Sequence, residues 1–369
     1  MKTMTVLGTR PEIIRLSRVI PLLDRYSEHL LVHTGQNFDD RLNGLFFREL
    51  ELRKPDFFLG VKADTAGSQI GQILSKVEDL LIRHRPDRLL VLGDTNSGLT
   101  AIIARRLNIP IYHMEAGNRC HDFRVPEEAN RRIIDNLSTV LMPYTYRSRE
   151  NLLSEGFAGK NIYVTGNPIK EVIDYYAGSI AASNALSTLS LSRGKYFLAT
   201  MHRAENVDLE ERLSSLVEGL KRIHAEFQYP VICSLHPRTR ANVAKFGINL
   251  SHPGLRFVEP LGFFDFIQLE QSAFCVISDS GTVQEEACIF RVPAVTIRDT
   301  TERPETIECG SNVLSGADPK AMVNLVRMVT DRPAGWQPPA EYLVTNVAAT
   351  ICRIVLGHSC DGEGLAMIR

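Results

Sequence analysis

The sequence predicts an α/β protein of two Rossmann-like, doubly wound domains, and three observations carry that expectation. Short apolar runs alternate with helix-length segments whose apolar residues recur at three- and four-residue spacing. The strand-like runs are too short and too apolar to alternate, which is the pattern of a parallel sheet covered on both faces. The series breaks once, near the middle of the chain, and starts again. At 369 residues the chain is long for one core and comfortable for two.

In order, Thr5–Leu7, Leu30–His33, Leu89–Leu92 and Ile109–Tyr112 are expected as buried strands, with helices over segments such as Glu12–Tyr26 and Ser68–Arg83. Val140–Met142 and Ile162–Val164 continue the series. From about Tyr176 to Gly194 the composition turns to Ser, Ala and Asn, which reads as a linker with a short helix. A second series then runs through Tyr196–Ala199, Val231–Cys233, Arg256–Val258, Phe274–Ile277 and Ala294–Ile297. The expected division is a first domain over 1–176, a linker over 177–194 and a second domain over 195–340. Residues 341–369 are expected as a C-terminal helix and tail packing back on the first domain. Sheets of this kind bind ligands at the carboxyl ends of their strands, so two facing domains are expected to share one cleft.

Composition narrows the partners. Hydrophobic residues make up 44% and charged residues 23%, the balance of an ordinary globular protein. A formal net charge of −1 gives no global field for nucleic acid or an anionic membrane, so an anionic ligand must be held by a local arrangement. No apolar run approaches the ~18 residues of a membrane span. The start, Met1–Gly8, leads into a strand pattern and lacks a secretory h-region, so a cytoplasmic protein is expected. The seven cysteines are scattered without a CxxC pair and read as reduced thiols rather than disulfides or zinc ligands.

The polar motifs follow the strands. Gly8-Thr9-Arg10-Pro11-Glu12 opens a helix, where a glycine turn exposes backbone N–H groups to an anion and Arg10 adds a charged fork. One glycine is not GxGxxG, so bound NAD is poorly supported, and a plain helix-start turn with Pro11 at the first position reads the same residues. Gly93-Asp94-Thr95 follows an apolar strand, where Asp94 could equally cap the next helix. His113-Met114-Glu115-Ala116-Gly117 brings a second carboxylate to the same edge, and Pro126-Glu127-Glu128 a third. The macrodipole explains one of Glu127 and Glu128, but crowded carboxylates can also serve as acid and base. In the second series, His202-Arg203 and His236-Pro237-Arg238 follow strands, and a capping or packed histidine is the plainer reading of His202 alone. Ser278-Asp279-Ser280-Gly281-Thr282 opens a helix with Glu285 and Glu286. Hydroxyls and a glycine there form a pyrophosphate seat, and a carboxylate one turn in could accept from ribose hydroxyls. Thr301-Glu302-Arg303-Pro304-Glu305 adds another arginine. Acids in one half and basic groups with helix N-termini in the other fit a nucleotide-sugar.

These motifs resemble those of the non-hydrolysing UDP-N-acetylglucosamine 2-epimerases, whose fold is like that of B-type glycosyltransferases. The resemblance also takes in Thr34-Gly35-Gln36 and Thr165-Gly166-Asn167-Pro168, all in fixed order over nearly the whole chain. It implies an isomerase that uses no cofactor and no metal. Anti elimination of UDP with loss of the C2 proton gives a 2-acetamidoglycal, and UDP adds back after protonation on the opposite face. The resemblance puts the catalytic residues at Asp94, Glu115, Glu127 and His202. It implies UDP contacts from Arg10, His236, Ser280, Gly281 and Glu286, with Phe266 beside the uracil. Arg15, Arg119 and Arg303 are expected near the sugar or phosphates, and a homodimer is implied. Which carboxylate removes the proton stays open.

Several positions depart from the family pattern. Arg15 stands where the family usually has Lys, which keeps the charge and disfavours proton transfer there. Ser280-Gly281-Thr282 replaces Ser-Gly-Gly, which could narrow the diphosphate turn. Gln36-Asn37-Phe38-Asp39-Asp40 replaces a Gln-His-Arg run and argues against activation by substrate at a second site. The loop Gly117–Pro126, with Gly-Asn-Arg-Cys, looks like that of relatives acting on C3-amidated glucuronic acid nucleotides or forming UDP-N-acetyl-L-fucosamine. Arg119 and Arg124 could pair a uronate carboxylate or be solvated loop charges. A B-type glycosyltransferase is disfavoured by the three acids. A non-catalytic sensor could lose the acids and His202, and this sequence keeps both sets.

Overall fold

The computed structural model describes residues 1–35, 40–63, 65–332 and 334–358. It forms two compact units, Met1–Val172 together with the chain from Val344, and Ile173–Leu343.

The first unit is a parallel six-stranded sheet of β1 (Lys2–Leu7), β2 (Glu28–His33), β3 (Phe57–Phe58), β4 (Arg88–Leu92), β5 (Ile111–Met114) and β6 (Val140–Met142). Its spatial order is β3-β2-β1-β4-β5-β6. The second unit repeats the plan with β7 (Phe197–Met201), β8 (Val231–Leu235), β9 (Leu255–Val258), β10 (Cys275–Ser278), β11 (Ala294–Thr296) and β12 (Asn312–Leu314), ordered β12-β11-β10-β7-β8-β9. In each sheet the connections leave the two central strands in opposite directions. The loops after β1 and β4, and after β7 and β10, therefore part and open a crevice at the carboxyl edge.

Both faces of the strands are covered, which is why they read as apolar throughout. In the second unit Phe197, Ala199 and Met201 pack on Leu213, Leu216 and Met322, while the alternate residues Leu198, Ile232 and Val276 pack on Leu269, Val283 and Ala287. In the first, Met4, Val6, Val91 and Ile111 pack on Ile73, Val77 and Ala104.

Several boundaries differ from expectation for physical reasons. The single helix expected over 12–26 is two, Arg10–Leu16 and Val19–Tyr26. Pro21 cannot donate to the Ser17 carbonyl, and its ring crowds that turn. The strand expected at Ile109 begins at Ile111, because Pro110 has no N–H for the ladder, although its carbonyl still accepts from Leu89. Ile162–Val164 makes a single bridge, Leu141 to Ile162, rather than a strand. The edge strands β3 and β12 are two and three residues long, too short to show a periodicity.

The segment expected as a linker over 177–194 is part of the second unit. Ala177–Ala181 and Ala185–Thr188 are helical, Ile180 and Ala185 are buried, and Ser183 bonds to Asp265 at 2.6 Å. The units part instead at Val172/Ile173 and Leu343/Val344. In the first unit the helix Val347–Gly357 packs against Val19–Tyr26, and Arg88 donates to the carbonyls of Val355 and His358. Among the described residues no helix is long and apolar enough to cross a membrane, and no group of three or more His, Cys, Asp or Glu could hold a metal ion. Gln36–Asp39, on which the expectation about second-site activation turns, and Cys360 lie outside the described residues.

Candidate active site

In the first unit the loops after β1, β4 and β5 meet through side chains. Glu12, fully buried, accepts from the N–H groups of Gly8 and Thr9 at 3.0 and 2.8 Å, and from the Thr9 hydroxyl at 2.7 Å. Its other oxygen takes the Thr95 hydroxyl at 3.2 Å, which ties the Arg10 turn to the Asp94 turn. Burial pushes the Glu12 carboxyl up, and these donors pull it back, leaving it at about 7. Arg10 begins its helix half-buried, with its guanidinium 5.9 Å from the Phe46 ring.

Asp94 is held by Arg131, whose Nε and second nitrogen lie 2.8 and 2.6 Å away. Glu115 sits at φ +64°, a left-handed conformation that a non-glycine residue adopts only when its surroundings hold it there. Met142 accepts its N–H, Asn118 donates to its carboxylate at 3.1 Å, and Arg15 pairs with it at 3.5 Å. Arg15 is buried, and its guanidinium also lies over the Tyr144 ring at 5.3 Å. Gly93 bends the β4 loop toward this carboxylate: a Cβ there would lie 3.9 Å from Glu115 Oε2. Arg15, Asp94 and Glu115 thus belong to one edge of the first sheet.

The two glutamates at the start of the helix Pro126–Leu137 have different surroundings. Glu128 is fully buried and binds the Cys120 N–H, Arg131 and Arg132. Burial alone would raise it, but the Cys120 N–H and Arg131 hold it below the ordinary range. It clamps the loop Gly117–Val125 to its helix. Glu127 is half-buried in the same first turn.

Arg119 is not a solvated loop charge. It is 3% exposed, forks onto Glu155 at 2.9 and 2.6 Å, and also meets Asp135 at 2.8 Å and the Asn118 carbonyl at 2.8 Å. No local signal announces this pairing, because Glu155 is 36 residues away in sequence. Arg124, on the same loop, is 71% exposed and paired with Asp122.

In the second unit His202 follows β7, and its Nδ1 donates to the fully buried Asp279 at 2.9 Å. Asp279 also accepts the N–H groups of His202 and Arg203 and the amide of Asn206. Burial opposes its charge, but the His202 imidazole and these donors hold it well below the usual carboxylate range. With Nδ1 committed, Nε2 is the nitrogen His202 offers to chemistry. His236 caps the helix Pro237–Phe246 by accepting the Arg238 N–H at its Nδ1, so its Nε2 carries the ring hydrogen. The two imidazoles lie 6.0 Å apart.

Ser280 stands at the N-terminal boundary of the helix Gly281–Phe290 without a side-chain capping bond, and its hydroxyl meets that of Thr282 at 3.0 Å. Gly281 leaves room for Glu302, whose Oε1 would lie 2.6 Å from a Cβ there. Glu286 is buried one turn in, and Phe266 is half-buried on the helix Phe263–Glu270. Arg303 is buried and turned to the Glu285 carboxylate and the Glu302 carbonyl.

The sequence profile of the UDP-N-acetylglucosamine 2-epimerase family matches residues 23–356. The chain belongs to the UDP-N-acetylglucosamine 2-epimerase family. A UDP-N-acetylglucosamine 2-epimerase of Methanococcus maripaludis is 40% identical over 361 residues, 96% of this chain and 98% of the relative. A UDP-2,3-diacetamido-2,3-dideoxy-D-glucuronate 2-epimerase of Pseudomonas aeruginosa is 39% identical over 333 residues, 89% and 92% of the two chains. The crystal structure of the Methanocaldococcus jannaschii UDP-GlcNAc 2-epimerase in complex with UDP-GlcNAc and UDP superposes with a TM-score of 0.92 at 37% identity, covering 96% of this chain and 99% of that one. The glycosyltransferase WaaG, at 11% identity and a TM-score of 0.61, shares the fold alone, which agrees with the B-type architecture expected of the epimerase family. Asp279 beside His202, Arg131 beside Asp94 and Glu12 beside Thr95 are neighbours that the sequence did not single out. Asp279 was visible as a motif member, but its partner His202 lies 77 residues away.

Proposed function

We propose that this chain is a UDP-N-acetylglucosamine 2-epimerase of the non-hydrolysing type, which inverts C2 by anti elimination of UDP and re-addition to the glycal. The observation that carries the reading is the pair of arginine-held carboxylates, Asp94 with Arg131 and Glu115 with Arg15, after adjacent strands of a chain in this family. A C2 proton is weakly acidic, so its removal needs a fixed base, and the departing diphosphate needs fixed donors. Asp94, Glu115 and Glu127 supply the acid–base groups, and His202, oriented by Asp279, acts on the leaving diphosphate. In the proposed division of labour the first unit handles the sugar and the second holds UDP. Arg10, His236, Ser280, Gly281 and Glu286 bind the nucleotide, Phe266 lies against the uracil, and Arg15 assists the sugar side. The reaction needs no metal or redox cofactor. The same reading includes a cytoplasmic homodimer, for which family membership is the support and sedimentation the test.

A second reading keeps the C2 chemistry and changes the sugar. The 39% identity to the diacetamido-glucuronate epimerase favours it, and exposed Arg124 rather than Arg119 is then the loop cation for a uronate. Incubation with UDP-N-acetylglucosamine and with its diacetamido-uronate analogue, followed by chromatography of the nucleotide-sugars, separates the two. Conversion of the first to its manno epimer supports the main reading; conversion of the uronate alone replaces it with the second.

A further inference from the structure

Two thiols that the proposed reaction leaves unused stand against each other in the second unit. Cys288 lies in the last turn of the helix Gly281–Phe290 and is buried. Cys309 is the residue that ends the helix Pro304–Glu308. Their sulfurs are 3.6 Å apart, although 21 residues separate them in sequence. That is contact distance, and a disulfide needs about 1.5 Å of further approach.

The two sulfurs have different surroundings. Cys288 is on the fixed side: the Trp336 indole N–H and the Arg291 N–H both donate to its carbonyl at 3.2 Å. Cys309 is on the accessible side. Among the described cysteines it alone is not buried, and exposed Glu308 and Gly310 flank it. Its sulfur lies 3.4 Å from the Ser311 hydroxyl and 3.5 Å from the Thr306 carbonyl. A Cβ at Gly310 would meet nothing within 4 Å, so the chain beside Cys309 has room to close the gap. Donation from the Cys288 thiol holds Cys309 below the ordinary thiol range, while the same contact, and then burial, push Cys288 above it. An accessible thiolate touching a second thiol is the arrangement of an attacking and a resolving cysteine.

We propose that Cys288 and Cys309 form a modification site for hydroperoxides, in which Cys309 attacks the peroxide and Cys288 closes an intramolecular disulfide. The inference stands apart from the proposed epimerase reaction and does not rest on it. In the first step the Cys309 sulfur bonds to one peroxide oxygen, the O–O bond breaks, and the departing hydroxide takes up the proton that Cys309 gave to solvent. Cys309 is then a sulfenic acid. In the second step the Cys288 sulfur bonds to the Cys309 sulfur and the S–O bond breaks. The hydroxide leaves with the Cys288 proton as water. Two thiols are oxidised to one disulfide and the hydroperoxide is reduced, with no further reagent. An external dithiol reverses the reaction by exchange.

The test is mass spectrometry of the full chain and its proteolytic digest after brief treatment with equimolar hydrogen peroxide, for wild type, C288S and C309S. Wild type is expected to lose the mass of two hydrogens, to yield a digest fragment joining Cys288 to Cys309, and to recover its mass with dithiothreitol. C288S lacks the resolving thiol and should stop at a sulfenic acid on Cys309, trapped by dimedone. C309S should show no oxidation at Cys288. Alkylation of untreated wild type by iodoacetamide reads the attacking thiol without any oxidant: Cys309 should react at least about tenfold faster than Cys288. A wild type whose digest holds no Cys288–Cys309 link would overturn the proposal, as would Cys288 reacting first with either reagent. The link and the alkylation rates are read on the wild-type protein, so a variant that fails to fold leaves both decisive.

Discussion

Asp279 is fully buried and accepts from an imidazole, two backbone N–H groups and a side-chain amide. A carboxylate held low in this way stabilises the fold above its ordinary pKa, and the contribution is lost as pH falls toward the folded value. Asp279→Asn should therefore flatten the acid limb of a Tm–pH profile below about pH 4. It should also lower kcat by about 10²-fold, because His202 loses its orienting acceptor, while UDP affinity changes far less. Glu12 has the opposite sign. Its folded value is raised from 4.5 to about 7, so the stability present below pH 4.5 drains away as pH rises toward 7. Glu12→Gln melts taken across that window should show a shallower slope than wild type. At this scale the sequence displays the groups that stand just past apolar strands: Asp94, Glu115 and His202. It hides what holds them, because Arg131 is 37 residues from Asp94 and only the fold joins them.

Elements decide where those groups can stand. Gly117 has φ +78°, and a Cβ there would come 2.2 Å from the Ser148 carbonyl oxygen, a backbone atom that cannot step aside. Gly117→Ala combines positive-φ strain with this clash and should cost at least about 3 kcal/mol in a urea melt. Most central strands are legible because burial on both faces leaves apolar runs such as Leu89–Leu92 within β4. The edge strands Val140–Met142 and Leu255–Val258 keep enough apolar residues to be read, whereas Phe57–Phe58 and Asn312–Leu314, at the opposite edges, are too short to carry a pattern. The break at Ser17 is legible in principle from Pro21, a signal that outweighs the apolar periodicity running across it.

At the scale of the whole molecule the chain builds one unit, then the other, and returns at Val344 to complete the first. The returning helix buries Val347, Ile351 and Val355 in the first unit, at about 1.5–3 kcal/mol for each side chain. Truncation before Val344 should thus remove a stabilisation comparable with that of an entire domain. Hydrogen exchange should rise across β1 and β4 and leave β7 and β10 nearly unchanged; a uniform rise would contradict the division. The central claim is chemical, and one measurement reaches it directly: proton NMR of the purified protein with UDP-N-acetylglucosamine in D2O. The account predicts deuterium entering C2 as the manno-configured epimer appears. No exchange at C2, while UDP still binds, would contradict it.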